Sequence, residues 1–161
     1  MAETGTRGSV LRRATIFVRD LDAAVAFYSE AFGFERYYAR DMDLSVIGDV
    51  PFGDEGRGGS MRFAIVRGLD PLLGMIGLIE ICDPPLPPVA ETRLRQGNAF
   101  LVIETDDIAR AARVMAAHGC RIVRPPTEGR NIGDADGQPF PAKVMFAFDP
   151  DGQILEVFEP T

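Results

Sequence analysis

Two glutamates that stand alone in apolar runs are the residues of this chain best suited to acid–base chemistry. Segment 78–84 reads LIEICDP and segment 154–160 reads ILEVFEP, so both follow the order apolar, apolar, Glu, apolar, apolar, acid, Pro. A glutamate within an apolar run is costly to bury without a partner. Its recurrence in the same order predicts two equivalent strands that deliver Glu80 and Glu156 to one site. The competing interpretation is two edge strands whose glutamates point to water.

The rest of the chain repeats as well, which indicates two copies of one module. Segments 13–18 (RATIFV) and 98–103 (NAFLVI) are each followed by aspartate and a helical stretch that ends at Gly33 or Gly119. A repeat of this length is typical of a duplicated module rather than a solenoid unit. The predicted fold is α+β, with two βαβββ modules forming a curved mixed sheet around a cleft. The predicted boundaries are 11–84 for the first module, 85–97 for a Pro-rich linker and 98–160 for the second module.

Composition excludes several classes of partner. The chain has 161 residues, of which 46% are hydrophobic, enough for one well-packed domain or two small modules. A net charge of −7 argues against nucleic acid, because binding phosphates needs a basic surface. There is no apolar run that could span a bilayer, and residues 1–6 lack the basic and apolar regions of a signal peptide. We therefore expect a cytoplasmic protein with neither nucleic-acid nor membrane partners.

The cysteines and the single histidine do not have the spacing of a metal site. Cys82 and Cys120 both lie in apolar contexts and are expected to be reduced core residues, although the sequence leaves a disulfide open. His118 stands beside Gly119 at the predicted end of the second helix. There it is expected to meet the helix dipole or water.

Alternation along the predicted strands assigns side chains to the cleft. Successive residues of a strand point to opposite faces, so Arg13 and Phe17 lie opposite the helix of their module. The same alternation places Glu80 with Leu78 and Cys82, and Glu156 with Ile154 and Phe158. A few polar groups among apolar ones are the usual composition of a small-molecule site. The predicted ligand-binding residues are Arg13, Asn98, Phe17, Phe100 and Phe158.

Two long segments are predicted to be loops that close over this cleft. Segments 41–59 and 125–141 are rich in Gly and Asp, and the second also contains several prolines. Binding loops tend to be long and mobile.

Three local motifs together resemble a known superfamily. Segment 18–28 carries VRDLD at the start of a helix followed by FY, segment 32–34 reads FGF, and segment 149–152 reads DPDG before the second Glu strand. They resemble the vicinal oxygen chelate proteins, which include glyoxalase I, bleomycin- and fosfomycin-resistance proteins and extradiol dioxygenases. The resemblance covers roughly residues 11–160. It implies that each module supplies two strand positions to a cleft, and that the protein is a homodimer.

The resemblance also predicts how the cleft departs from a metal site. In the metalloenzymes of the superfamily the first-strand positions usually hold His, and at least one last-strand position holds Glu. The matching positions here are Arg13 and Asn98, and Glu80 and Glu156. Without imidazoles the site lacks the donors that Zn, Ni or Fe(II) favour, and a guanidinium cannot bind a metal. We therefore expect no cofactor, and we expect Arg13 to replace the metal charge and to pair with one or both glutamates.

Three functions remain open at this stage. The first is a protein that binds a small, partly apolar metabolite without a transition metal. The second is a lyase or isomerase in which Glu80 or Glu156 moves a proton and Arg13 stabilises an enolate oxygen. The third is an enzyme that holds Mg or Mn with Glu80, Glu156 and Asn98, which the charge of Arg13 disfavours. A purely structural ion network would fit the same residues.

Overall fold

A strand, a helix and three further strands follow one another twice along the chain. The computed structural model describes residues 11–43, 59–70, 74–89, 93–132 and 137–161. The elements are β1 (Arg13–Phe17), α1 (Leu21–Phe32), β2 (Glu35–Asp43), β3 (Ser60–Arg67), β4 (Met75–Ile81), β5 (Phe100–Glu104), α2 (Ile108–Ala117), β6 (Arg121–Ile132), β7 (Pro139–Phe148) and β8 (Ile154–Pro160). The predicted α+β fold of two βαβββ modules is confirmed.

Each module forms its own four-stranded mixed sheet. The strand orders are β1-β4-β3-β2 and β5-β8-β7-β6. The first and last strands of a module pair in parallel, and the other pairs are antiparallel. In both sheets the last strand therefore lies beside the first, and β1 and β5 are edges of their sheets in the described part of the chain.

The helices begin and end where local capping predicts. Asp20 accepts a hydrogen bond from the backbone N–H of Ala23 at 3.0 Å, and Asp107 accepts one from Arg110 at 2.7 Å. These aspartates satisfy N–H groups that the first helical turn leaves without partners. Helix α1 ends at Gly33, whose φ of 70° is the left-handed conformation that glycine adopts without strain.

The two modules share one hydrophobic core between the helices and the sheets. Ile16 and Val18 of the first strand pack into this core, whereas Arg13 and Phe17 are exposed on the opposite face, as alternation predicts. The largest fully buried side chains come from both modules: Phe27, Tyr28, Leu78, Ile108, Met115, Met145 and Leu155.

Polar contacts also join the modules, and most of them involve the turn between β7 and β8. Arg19 donates to Asp151 Oδ1 through its backbone N at 3.0 Å and its Nε at 2.9 Å, and also to the carbonyl of Pro150. Tyr28 donates its hydroxyl to Asp149 Oδ2 at 2.9 Å. His118 caps the end of α2, as predicted, but its Nε2 lies 2.9 Å from the carboxylate of Glu30 in the other module.

The prediction of a loop over residues 125–141 is wrong. Strand β6 continues to Ile132 and β7 begins at Pro139, so most of this segment is a paired ribbon. Proline is tolerated because β6 is the edge of its sheet and its pairing with β7 shifts register between Ile122 and Thr127. Of the other predicted loop, residues 41–43 belong to β2 and residues 44–58 lie outside the described residues.

Candidate functional site

Glu80 faces the helix of its module, so its predicted place in the cleft is wrong. Its Oε2 accepts a hydrogen bond from the backbone N–H of Leu21 at 2.9 Å, at the start of α1. The same oxygen lies 3.1 Å from Nη1 of Arg62. Leu78, two residues earlier on the same face, is fully buried in the core. Glu80 therefore stabilises the N-terminus of α1, where a negative charge is favourable.

The structural counterpart of Glu80 is Glu159 rather than Glu156. Glu159 Oε2 accepts a hydrogen bond from the backbone N–H of Ile108 at 2.8 Å, at the start of α2. Backbone contacts give the same alignment, because Val18 N donates to Ile79 O and Thr105 N donates to Phe158 O. The sequence repeat thus aligns the two last strands three residues out of register, and the counterpart of Glu156 is Gly77.

The same alignment changes the match between the first strands. Phe100 stands five residues before Thr105, as Arg13 stands five residues before Val18, so Phe100 is the counterpart of Arg13. Asn98 is exposed and precedes β5, and its Oδ1 accepts a hydrogen bond from Arg95 N at 2.7 Å to close a turn. The prediction that Asn98 lies on the cleft face of the strand is therefore wrong.

The four equivalent strand positions are thus Arg13, Gly77, Phe100 and Glu156. They offer one guanidinium, one phenyl ring, one carboxylate and one position without a side chain. Zn, Ni and Fe(II) favour several imidazole or carboxylate donors, and this set contains a single donor. Within the described residues there is no group of three His, Cys, Asp or Glu side chains that could hold a metal. The residues do not fit a transition metal.

The first-module half of this site is filled by its own side chains. A Cβ atom on Gly77 would lie 2.6 Å from Thr15 Oγ1 and 3.3 Å from a ring carbon of Phe63. The guanidinium carbon of Arg13 lies 5.5 Å from the centre of the Phe63 ring, within cation–π range. Glycine is therefore needed at position 77, because Thr15 and Phe63 occupy the space of a side chain.

We expect Gly77→Ala to lower the free energy of unfolding by about 1–2 kcal/mol, because the new methyl group overlaps Thr15. Urea denaturation measures the loss. The double variant Thr15→Ala with Gly77→Ala removes the overlapping atoms and should recover most of it. An additive double variant would show that Thr15 does not close this position.

The second-module half of the site combines one carboxylate with several phenylalanines. Glu156 is half-buried, and its Oε1 accepts a hydrogen bond from Nδ2 of the buried Asn131 at 3.1 Å. Its cross-strand neighbours are Phe146 on β7 and Val102 on β5. The rings on this face are in edge-to-face contact, with centroids 6.1 Å apart for Phe100 and Phe146 and 5.8 Å apart for Phe140 and Phe158.

A cavity of about 1000 Å³ lies between the edge strands β1 and β5. Of the predicted site residues, Arg13 and Phe100 line it, whereas Phe17, Glu80, Asn98, Glu156 and Phe158 do not. Its apolar walls come from both modules and include Phe32, Phe34, Met75, Val102 and Ile103. The charged residues of its lining are Arg12, Arg13, Asp70, Glu104, Asp106, Arg110 and Glu159.

Tyr28 and Asp149 form a buried pair that joins the two modules and that the sequence did not reveal. Burial raises the pKa of Tyr28 well above its ordinary value, and the nearby Asp149 raises it further. Burial likewise raises the pKa of Asp149. Tyr28 belongs to the FY motif and Asp149 to the DPDG motif, so both residues were noted in the sequence. Their hydrogen bond joins positions 121 residues apart, and neighbouring residues alone could not predict it.

Cys120 lies close to this pair. Burial, with a contribution from Asp149, raises the pKa of its thiol to about 12. Because the thiolate is the reactive form, this shift lowers the reactivity of Cys120 at neutral pH. Both cysteines are free, as predicted, and both are half-buried rather than fully buried core residues.

Two βαβββ modules with a shared core and paired first and last strands define a glyoxalase-like protein. The chain belongs to the Glyoxalase/Bleomycin resistance protein/Dioxygenase superfamily, whose pattern matches residues 10–157. No curated protein matches the sequence closely enough to count as a relative.

Solved structures share this fold at low sequence identity. A glyoxalase family protein from Bacillus cereus is 18% identical, with 98% of this chain and 99% of that chain covered and a TM-score of 0.71. A glyoxylase/bleomycin resistance protein/dioxygenase domain from Frankia sp. EAN1pec is 20% identical, with coverages of 96% and 100% and a TM-score of 0.60. Glyoxalase I from Zea mays is 23% identical, with coverages of 92% and 46% and a TM-score of 0.57. The chain thus spans less than half of the maize protein.

Neither helix in the described part of the chain has the length and apolar character needed to cross a bilayer.

Proposed function

We propose that the protein binds a small, partly apolar molecule in the cavity between β1 and β5, without a transition metal. The observation that carries this proposal is that Arg13 and Phe100, which occupy equivalent positions of the two modules, line the same cavity of about 1000 Å³. Its size and its combination of apolar and charged side chains suit a small, partly apolar ligand that also carries polar groups.

The roles within this site differ from those expected for paired glutamates. Among the described residues Arg13 forms no ion pair with Glu80 or Glu156, and it lies instead against the ring of Phe63. Its guanidinium can therefore hold a polar substituent of the ligand, while Phe100 and the neighbouring apolar residues contact the ligand body. The single carboxylate donor of the site supports a metal-independent function.

The test uses N-phenyl-1-naphthylamine, an uncharged aromatic fluorophore. We expect saturable fluorescence enhancement with the wild-type protein, and about tenfold weaker binding by Phe100→Asp, because the variant places a charge in an apolar lining. Val123→Asp is the matched control, since Val123 is an exposed apolar residue of the same sheet outside the cavity. Absence of saturable binding to the wild type, or an equal loss in the control, would contradict the proposal.

Acid–base catalysis by Glu156 is the second candidate function. The observation in its favour is a half-buried carboxylate that is surrounded by phenylalanines and oriented by Asn131. In this lyase or isomerase Glu156 would move the proton and Arg13 would act as electrophile. The Mg or Mn alternative is weaker, because Glu80 and Asn98 are engaged in a helix cap and a turn.

We also propose that the protein forms a homodimer. Phe17, Phe100 and Val102 are 41%, 42% and 56% exposed, and they lie on the edge strands β1 and β5. Exposed apolar edge strands favour pairing with another chain.

The cytoplasm remains the expected compartment of the protein.

A further inference from the structure

Glu156 is a half-buried carboxylate with apolar nearest neighbours, whereas the other acid on its face of β5 and β8, Glu104, is exposed. Phe146 and Val102 flank it on the neighbouring strands, and Phe158 follows two residues later on the same face. Phe158 is 5% exposed, whereas Val102 on the neighbouring strand is 56% exposed, so Glu156 lies between a buried and an exposed apolar residue. A carboxylate in such surroundings is costly unless a partner compensates its charge.

The described residues supply a hydrogen bond to this carboxylate but no positive charge. Asn131 donates to Oε1. Cations of β6 and β7 make other contacts: Lys143 pairs with Glu159 on the opposite face, Arg130 donates to the carbonyl of Pro139, and Arg121 lies over the Phe148 ring. Arg124 stands opposite Phe146, one strand further away than the neighbours of Glu156. Glu156 is thus oriented by Asn131, and it forms no ion pair with a cation in the described part of the chain.

At the strand positions equivalent to those of the second module, the first module supplies the cation Arg13 and no second carboxylate. Its counterpart of Glu156 is Gly77, and Thr15 and Phe63 leave no room there for a second acid. A single carboxylate matches a ligand with one positive charge rather than a divalent cation. The phenyl rings point to an organic cation, since aromatic faces attract cations and also contact an apolar body.

The cavity and the carboxylate are adjacent. Val102 lines the cavity, and it stands opposite Glu156 in the pairing of β5 with β8. Neighbouring strands are about 5 Å apart. A ligand whose apolar part lies in the cavity can therefore reach Glu156 with a polar group on a short aliphatic chain.

We propose that the ligand carries a protonated amine, which Glu156 binds as an ion-paired hydrogen bond between Asn131 and the phenylalanines. This inference rests on the proposed binding function and specifies its ligand class. An ammonium group offers three donors to the carboxylate, and its charge is attracted by the surrounding rings.

The test compares two probes of nearly equal size and shape by isothermal titration. One is 1-naphthylmethylamine, which is protonated at neutral pH, and the other is 1-naphthalenemethanol, which is neutral. We expect the amine to bind the wild-type protein about tenfold to a hundredfold more tightly, the range of a charge-assisted hydrogen bond. Glu156→Gln keeps the shape and the bond to Asn131, so it should remove the preference and leave the affinity for the alcohol unchanged.

Glu128→Gln is the matched control, because Glu128 is an exposed glutamate on β6 and its loss changes the net charge equally. The preference should persist in this variant. If the wild type binds both probes equally, or if Glu156→Gln retains the preference, the inference is overturned while the cavity function stands. Loss of the preference in the control as well would assign it to overall charge and would also overturn the inference. Absence of binding by either probe would overturn the proposed function itself.

Discussion

Asp149→Ala is expected to lower the free energy of unfolding by about 3–5 kcal/mol, the largest effect of any variant considered. Asp149 is 4% exposed. Its Oδ2 accepts from the Tyr28 hydroxyl at 2.9 Å, and its Oδ1 accepts from the backbone N–H groups of Asp151 and Gln153 at 2.9 and 2.8 Å. Alanine would leave three donors without partners at the junction of the modules. Urea denaturation followed by circular dichroism measures the loss.

Asp149→Asn is the control, because its amide oxygen can still accept from the backbone N–H groups. The same variant tests how the free energy of unfolding depends on pH. Burial raises the pKa of Asp149 above its ordinary value of 3.8, so the folded state binds this proton more readily than the unfolded state. The stabilisation linked to that proton is complete below pH 3.8 and is lost as pH rises through the folded-state pKa.

The wild type should therefore gain stability relative to Asp149→Asn as the pH is lowered from 7 towards 4. A difference in unfolding free energy that stays constant over this range would show that Asp149 is not desolvated as the structure indicates.

The helices and module order follow from signals that are local in sequence. Asp20 and Gly33 lie within one turn of the helix ends that they define, and capping depends on residues only a few positions apart. The strand–helix–strand order and the α+β fold could therefore be predicted without knowledge of long-range contacts. The family motifs added the expectation of a shared cleft.

The register of the repeat could not be predicted in the same way. Strand β4 is covered by α1 on one face, and its other face carries the apolar residues Ile79 and Ile81, so alternation does not distinguish the faces. Glu80 and Glu156 then look equivalent in sequence. The contact between Leu21 and Glu80 joins residues that are 59 positions apart, so the sequence does not show that Glu80 belongs with the helix.

The predicted position of Asn98 was wrong for a related reason. The segment before β5 is polar and short, and the strand begins two residues later, at Phe100. Residues two positions apart in a strand point to the same face, so the alternation of side chains could not show that the strand begins at Phe100 rather than at Asn98. Phe100, which was already predicted to contact the ligand, thus takes the position assigned to Asn98, and the loss of Asn98 makes the site more apolar than the sequence indicated.

Glu80→Ala is expected to lower the free energy of unfolding by about 2–3 kcal/mol and to leave binding of N-phenyl-1-naphthylamine unchanged. The side chain of Glu80 is 19% exposed and accepts hydrogen bonds from Leu21 and Arg62. Bonds to a charged group contribute about 1.5–3 kcal/mol, and removing the acceptor also leaves the helix N–H without its partner. Parallel urea denaturation and fluorescence titration separate the two effects.

Glu159→Ala provides the matched comparison, because Glu159 makes the equivalent bond to Ile108 in the second module. The loss of unfolding free energy in Glu159→Ala should be similar to that in Glu80→Ala. Each glutamate also has one ion-pair partner, which is Lys143 for Glu159 and Arg62 for Glu80. If Glu80→Ala instead weakened probe binding and left the unfolding free energy unchanged, Glu80 would act in the cleft, as the sequence repeat first indicated. Equal stability losses with intact binding would establish that this pair of glutamates positions the helices, and that Glu156 alone is the carboxylate available to a ligand on the four equivalent strand positions.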